Sequence, residues 1–174
     1  MSFNLQPILK GELLELRPLQ PEDFHNLYDV AKYPLIWEQH PAGDRYKEEV
    51  FKDFFLQALE SGRTLVTIDS KNGKIIGSSR FYGYDKEKSE IEIAWTFLAR
   101  SYWGGIYNKE MKHLMLHRAF KFVRTIIFLI GPQNLRSQKA LEKIGGVRVG
   151  LRKDDTGRDS FLYQVTDSRF KSLI

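Results

Sequence analysis

The 174-residue sequence contains no cysteine. That absence excludes disulfides, cysteine-ligated zinc, iron–sulfur clusters and a thiol nucleophile. Long apolar runs are also missing. The longest, Ile126–Ile130, is far short of the ~20 residues a helix needs to cross a bilayer, so no membrane partner is expected. The opening stretch MSFNLQPILKGELLELRP has no basic segment followed by an apolar one. No secretory signal is therefore expected, and the expected compartment is the cytoplasm. No period of roughly 20–50 residues recurs, which argues against solenoids and propellers. The phosphate loop Gly-x-x-x-x-Gly-Lys, the dinucleotide fingerprint Gly-x-Gly-x-x-Gly, the zinc-protease His-Glu-x-x-His and the hydrolase Gly-x-Ser-x-Gly are all absent.

Hydrophobic residues at 42% and charged residues at 28% form an ordinary globular balance, and the length predicts one domain spanning residues 1–174. Charge is unevenly spread. Residues 1–94 carry 12 basic and 16 acidic side chains, a net charge of −4. Residues 95–174 carry 15 basic and 6 acidic side chains, a net charge of +9. A basic half within one small domain suggests an anionic ligand on that side, whether a phosphorylated cofactor or a nucleic acid. Aromatic motifs of RNA-recognition domains are absent, so direct binding of nucleic acid is not expected.

The pattern along the chain gives alternating strands and helices. Leu13–Leu19 reads as a strand stopped near Pro18, and Pro21-Glu22-Asp23 opens a helix with its carboxylates at the positive end of the dipole. Tyr33–Arg45, with two prolines and a glycine, reads as irregular. Tyr46–Leu59 is amphipathic, and Ser61-Gly62 ends it. Thr64–Ile68, Ile75–Tyr84 and Ser89–Leu98 are strands, the first pair joined through Asn72-Gly73. A helix over Asn108–Val123, a buried strand Thr125–Ile130 and a helix Asn134–Ile144 follow, with Gly145-Gly146 as a left-handed stop. Val147–Arg152 and Ser160–Val165 close the chain around the turn Asp154–Gly157. The order β-α-α-β-β-β-α-β-α-β-β predicts an α+β fold with a mixed, mostly antiparallel sheet flanked by helices.

The chemistry concentrates in Glu92–Asn108, EIAWTFLARSYWGGIYN. A strand, a loop with Gly104-Gly105 and a helix start leave unpaired backbone N–H groups at the positive end of a dipole, which forms an anion cradle. Glu90 and Glu92 share one strand face. They are either a solvated charged face or the source of a general base. His40, in the loop Ile36–Pro41, is either a surface imidazole beside a proline turn or a group that orients or deprotonates an amine. Arg80 reads as half of a structural ion pair, with a substrate carboxylate as the alternative. His113 and His117 have metal-ligand spacing but fall beside Lys109, Glu110 and Lys121 on a polar face, so no metal is expected.

Glu92-Ile93-Ala94-Trp95, Tyr102-Trp103-Gly104-Gly105-x-x-Asn108-x-Glu110-x-Lys112 and Asn134-x-x-Ser137…Gly145 together resemble the Gcn5-related N-acetyltransferase superfamily. Within it the chain is most similar to the ribosomal-protein N-terminal acetyltransferases, from Leu14–Leu19 to the final strands. The resemblance implies an enzyme using acetyl-CoA and a primary amine acceptor. A peptide or protein N-terminus is the expected acceptor. A small-molecule amine, or a non-catalytic CoA-binding or ribosome-associated role, is the alternative, in a monomer or homodimer. The same resemblance implies that Thr96, Phe97 and Leu98 bind pantetheine through their backbone, with Asn134 on the opposite wall. It sets the pyrophosphate on Trp103, Gly104, Gly105, Ile106, Tyr107 and Asn108. A backbone N–H near Phe97 would meet the oxyanion, and Glu92 matches the family's glutamate. Two departures stand out. The leading Gln or Arg of the family's loop is missing, with Arg100 one step away. Leu141 occupies the position of the usual tyrosine acid, which leaves Ser137 as the substitute beside the thiol.

Overall fold

The computed structural model describes residues 2–173. Its strands are β1 (Leu9–Lys10), β2 (Leu14–Pro18), β3 (Thr64–Asp69), β4 (Ile75–Asp85), β5 (Glu90–Leu98), β6 (Thr125–Ile130), β7 (Val147–Lys153) and β8 (Asp159–Thr166). Its α-helices are α1 (Phe24–Ala31), α2 (Glu48–Ser61), α3 (Ile106–Ala119), α4 (Leu135–Lys143) and α5 (Asp167–Lys171). The strands form one sheet in the order β1-β2-β3-β4-β5-β6-β8-β7. Every neighbouring pair is antiparallel except β5 and β6. The α+β architecture expected from the sequence is therefore observed. It gains the two-residue β1, too short to carry a period, and the single turn α5.

Helices pack on both faces, and on one of them the part of β4 and β5 around Tyr82 and Glu92 stays partly exposed. One core joins Met111, Met115 and Leu116 of α3 and Leu141 of α4 to Leu16, Ile91, Ile93 and Phe128 of the sheet. The other sets Leu27 of α1 and Phe51, Phe55 and Ala58 of α2 against Val66 and Phe97, with Trp37 of the intervening loop. Gly62, at φ 62°, ends α2 in the left-handed region that favours glycine. The α2 start lies two residues later than the amphipathic pattern suggested, because Lys47, extended at ψ 133°, is its N-cap; the Tyr28 hydroxyl donates to the Tyr46 carbonyl just before it at 3.0 Å.

Two polar anchors explain motif residues the sequence alone left unassigned. Glu110 is not a solvated residue of α3. Its carboxylate accepts from the backbone N–H groups of Glu12, Leu13 and Leu14 at 2.9–3.0 Å, holding the β1–β2 turn against the helix. Arg17 makes two 2.8 Å bonds to the Asp23 carboxylate, and so ties the end of β2 to the start of α1.

Between β4 and β5 the backbones come close. A Cβ at Gly77 would overlap the Phe97 carbonyl oxygen and stand 3.0 Å from Leu98 Cα. Gly77→Ala must push β5 away, and overpacking of this kind costs about 1–3 kcal/mol. Urea denaturation should show a lowered midpoint with an unchanged slope. A wild-type midpoint would mean the strand moves freely.

Candidate active site

The site is built where β5 parts from β6. The parallel pairing covers only Glu90, Ile91 and Glu92 against Thr125, Ile126 and Ile127. Beyond it β5 bulges. On β4, Arg80 pairs with Ala94 but Ser78 pairs with Phe97, so Ser79 faces two residues. Trp95 takes φ 52° to accommodate the extra residue. The bulge inverts the side-chain alternation. Ile91 and Ile93 point toward α3 before it, and Thr96 and Leu98 do so after it. Trp95 and Phe97 thereby join the opposite face, which already holds Glu92.

From Leu98 the chain runs through one short turn into α3. Gly104 takes φ 69°, and Gly105 is the N-cap, with no side chain capping the helix. A Cβ on Gly104 would meet nothing within 4 Å, and one on Gly105 would meet only the Trp103 carbonyl at 3.8 Å. The loop is firmly held. Trp103 Nε1 donates to the Leu98 carbonyl at 2.9 Å, and the Tyr102 hydroxyl donates to Asp69 at 2.7 Å. Arg100 and Arg136 flank the Trp103 ring at 5.7 and 4.2 Å. An open, uncapped helix start following a loop whose Trp103 ring carries two nearby guanidinium groups fits a polyanion such as the CoA pyrophosphate. Arg136 escaped the sequence reading although it lies inside the Asn134-x-x-Ser137 motif.

Arg136 belongs to α4, which brings the second wall. Asn134 caps this helix, its Oδ1 accepting from Ser137 N–H at 3.3 Å. Arg136 N–H donates to Gln39 Oε1 at 3.2 Å, so the loop after α1 is stitched to α4. Ser137 is half-buried on the first turn, while Leu141 is sealed in the core. Buried Gln138 holds the bend before α4 through the Gly131 and Pro132 carbonyls.

On the open face of the sheet Glu92 pairs across to Tyr82. Burial first, and the Asp155 carboxylate second, push the Glu92 carboxyl up to about 7, against the pull of Arg152. Asp155 sits in the β7–β8 turn, beside the Tyr82 hydroxyl. The same turn carries Arg158, whose charge acts on His40 and Arg45. The structure therefore brings Glu92 and His40 under one turn but with different neighbours. His40 Nδ1 accepts from Ala42 N–H at 2.9 Å. Burial, with Arg45 and Arg158 nearby, drives its pKa down to about 3. An imidazole held that strongly neutral is too weak a base to take a proton from an amine near neutrality.

Arg80 corrects another expectation: it has no ion-pair partner among the described residues. It is buried, its Nε has no hydrogen-bond partner, and its guanidinium lies 4.2 Å from the Trp95 ring. His113 packs edge-on against Phe170 at 5.3 Å, and His117 lines a surface hollow with Lys121. Among the described residues no helix is long and apolar enough to cross a membrane.

The splayed parallel pair, the bulge and the uncapped helix after it define an acyl-CoA N-acyltransferase architecture. The sequence matches the acetyltransferase (GNAT) domain family over residues 14–147, and the chain belongs to that family of acetyl-CoA-dependent N-acetyltransferases. Solved structures agree on the fold. A GCN5-related N-acetyltransferase from Brucella melitensis is similar at a TM-score of 0.86 and 19% identity, over 97% of this chain and 82% of that one. RimJ of Mycobacterium smegmatis, solved with CoA-disulfide, is similar at 0.68 and 19% identity, over 93% and 87%. The ribosomal-protein-S5-alanine acetyltransferase of Vibrio fischeri is similar at 0.67 and 20% identity, over 93% and 97%. No curated protein matches significantly.

Behind the bulge, Lys112 is fully buried and donates to Thr96 Oγ1 at 2.8 Å, which in turn contacts Ser79 Oγ at 2.7 Å. Desolvation lowers the Lys112 pKa to about 7. Between about pH 7 and the ordinary lysine value near 10.4 the unfolded chain binds a proton that the folded chain does not, so stability climbs with pH across that window. Lys112→Met should flatten the climb. Urea midpoints at about pH 6 and about pH 9 should differ less in the variant than in wild type. Parallel profiles would show that this amine does not titrate on folding.

Proposed function

We propose that the chain acetylates the α-amine of a peptide or protein N-terminus in the cytoplasm, as a single domain that is monomeric or homodimeric. The observation that carries this is Glu92, a half-buried carboxylate with a pKa near 7 beside the start of the bulge. Taking a proton from an α-amine of pKa ~8 costs such a base about 1.4 kcal/mol, whereas a lysine at ~10.4 would cost about 4–5 kcal/mol. The Vibrio fischeri protein of similar fold is a ribosomal-protein-S5-alanine acetyltransferase, which lends the reading further support.

In this reading the amine nitrogen attacks the thioester carbonyl carbon. Its surplus proton passes to Glu92, directly or through a water, as the carbon–sulfur bond breaks. A backbone N–H near Phe97 offers a donor to the developing oxyanion. The thiol that leaves resembles cysteine, with pKa ~8.5, so it departs near neutrality with modest help. Ser137 is the hydroxyl on α4 suited to giving that help. Thr96, Phe97 and Leu98 bind pantetheine through their backbone, since the Thr96 hydroxyl is committed to Lys112. Trp103, Gly104, Gly105, Ile106, Tyr107 and Asn108 hold the pyrophosphate, with Arg100 and Arg136 beside it, and Asn134 closes the far wall. His40, kept neutral, orients the acceptor loop rather than acting as the base.

Thiol release from acetyl-CoA, compared between N-terminal peptides and small amines, tests the acceptor. CoA binding without release on any amine would favour a non-catalytic role. Gly104→Asp puts a carboxylate in the anion cradle and a Cβ at positive φ. Calorimetry should show CoA affinity reduced at least tenfold in a variant that still unfolds cooperatively, and unchanged affinity would move the pyrophosphate elsewhere. For the base, wild-type kcat should rise with pH through an inflection near 7. Glu92→Gln should lower kcat about a hundredfold and abolish that inflection. Full activity at every pH would leave proton removal to solvent.

A further inference from the structure

The open face is polarised, and its positive half lacks a counter-ion. Arg80 on β4 is 6% exposed, with its Nε unpartnered and its guanidinium over Trp95 at 4.2 Å and Phe54 at 5.9 Å. Arg45, in the loop before α2, lies over Phe54 at 4.6 Å and Trp37 at 5.6 Å. Phe54 thus has two guanidinium groups within 6 Å of its ring, and the two cations repel one another. Arg158 approaches Arg45 from the β7–β8 turn. Neither Arg45 nor Arg80 has an ion pair among the described residues. The only carboxylate acting on Arg45 is its exposed neighbour Asp44, and none acts on Arg80. The acids of this face, Asp154 and Asp155, gather instead around Glu92.

Burying a cation without a partner is costly, and bringing two together costs more. Aromatic faces offset part of that cost and hold the planar forks in place, but they leave the N–H donors unused. A group of donors held that way is suited to a planar anion. We infer that the acceptor carries a carboxylate, which Arg45 and Arg80 bind while its amine is directed toward Glu92. This inference rests on the acceptor site proposed above and adds the chemical class of what enters it. Two sources supply such a group: an acidic side chain close behind a peptide's α-amine, or the carboxylate of a free amino acid.

The test uses the wild-type enzyme, acetyl-CoA and matched acceptors differing only in the anion. One pair is a tripeptide amide with glutamate or glutamine in second place. The other is β-alanine and its amide. At least one acidic member should exceed its neutral partner tenfold or more in kcat/KM, and the pair that does so identifies the source. Arg80→Met and Arg45→Gln should each bring that ratio down toward one. Calorimetric binding of CoA shows which variants are folded, and Arg45→Gln, in a loop, serves if Arg80→Met does not fold. Equal rates for acidic and neutral members, or a preference that survives in the folded variants, overturns the carboxylate seat while leaving the acceptor reading intact. No transfer to any amine by a protein that binds CoA overturns both.

Discussion

The extra residue in β5 governs the rest of the site. A strand that kept strict alternation would send Trp95 and Phe97 to the same side as Ile91 and Ile93, into the core under α3. By inserting one residue opposite Ser79, the bulge puts them instead on the face that holds Glu92. It also turns β5 away from β6, so hydrogen bonding between them stops after three residue pairs. A groove lined by backbone opens between two strands of one sheet. The start of α3 lies at one end of it and the start of α4 along its other wall. Gly77 permits this geometry, because only a residue without a Cβ lets β4 follow the displaced Phe97 carbonyl.

Around this groove the side chains divide by charge. The loop that enters α3 and the first turn of α4 supply guanidinium groups around Trp103, beside the proposed pyrophosphate site. The open face of the sheet separates acids near Glu92 from arginines near Phe54. The β7–β8 turn spans both halves, with Asp155 and Arg158 only three positions apart in the chain. An exposed hairpin tip that bears on both charges is a natural place for acceptor selectivity to vary without disturbing the sheet.

Much of the fold was legible. The Asn72-Gly73 turn, the run Thr125–Ile130, the Asn134 cap and the Gly145 stop are local signals whose physics needs no tertiary partner. The long helix was found, but it begins at Ile106 rather than Asn108, since Gly105 caps it by backbone conformation alone. The site was legible in its strand, loop and helix but not in its polar detail. A positive φ at a tryptophan has no sequence signal, because bulky residues adopt it only under tertiary compulsion. Arg80 looked like half of an ion pair because a buried arginine usually is one. Only the three-dimensional neighbourhood shows that, among the described residues, no carboxylate pairs with it. Glu110 and Lys112 belonged to a recognised motif, yet their work, holding a turn and bonding Thr96, links segments far apart in the chain.

Lys112 and Arg80 show two ways of burying a cation in one small protein. Lys112 lies in the core beneath the bulge, hydrogen-bonded to Thr96. An amine there can shed its proton, and burial brings its pKa to about 7, so the charge can be lost near neutrality. Arg80 is as deeply buried, but even with its pKa lowered to about 10 it stays charged under any physiological condition. A core that needed only a hydrogen-bond donor would be served by the first solution. The chain uses the second at the proposed acceptor site, and sets the guanidinium on the rings of Trp95 and Phe54. A permanent positive charge at that point raises the free energy of the empty site and lowers that of a site filled by an anion. The destabilisation thus becomes selectivity for the bound state.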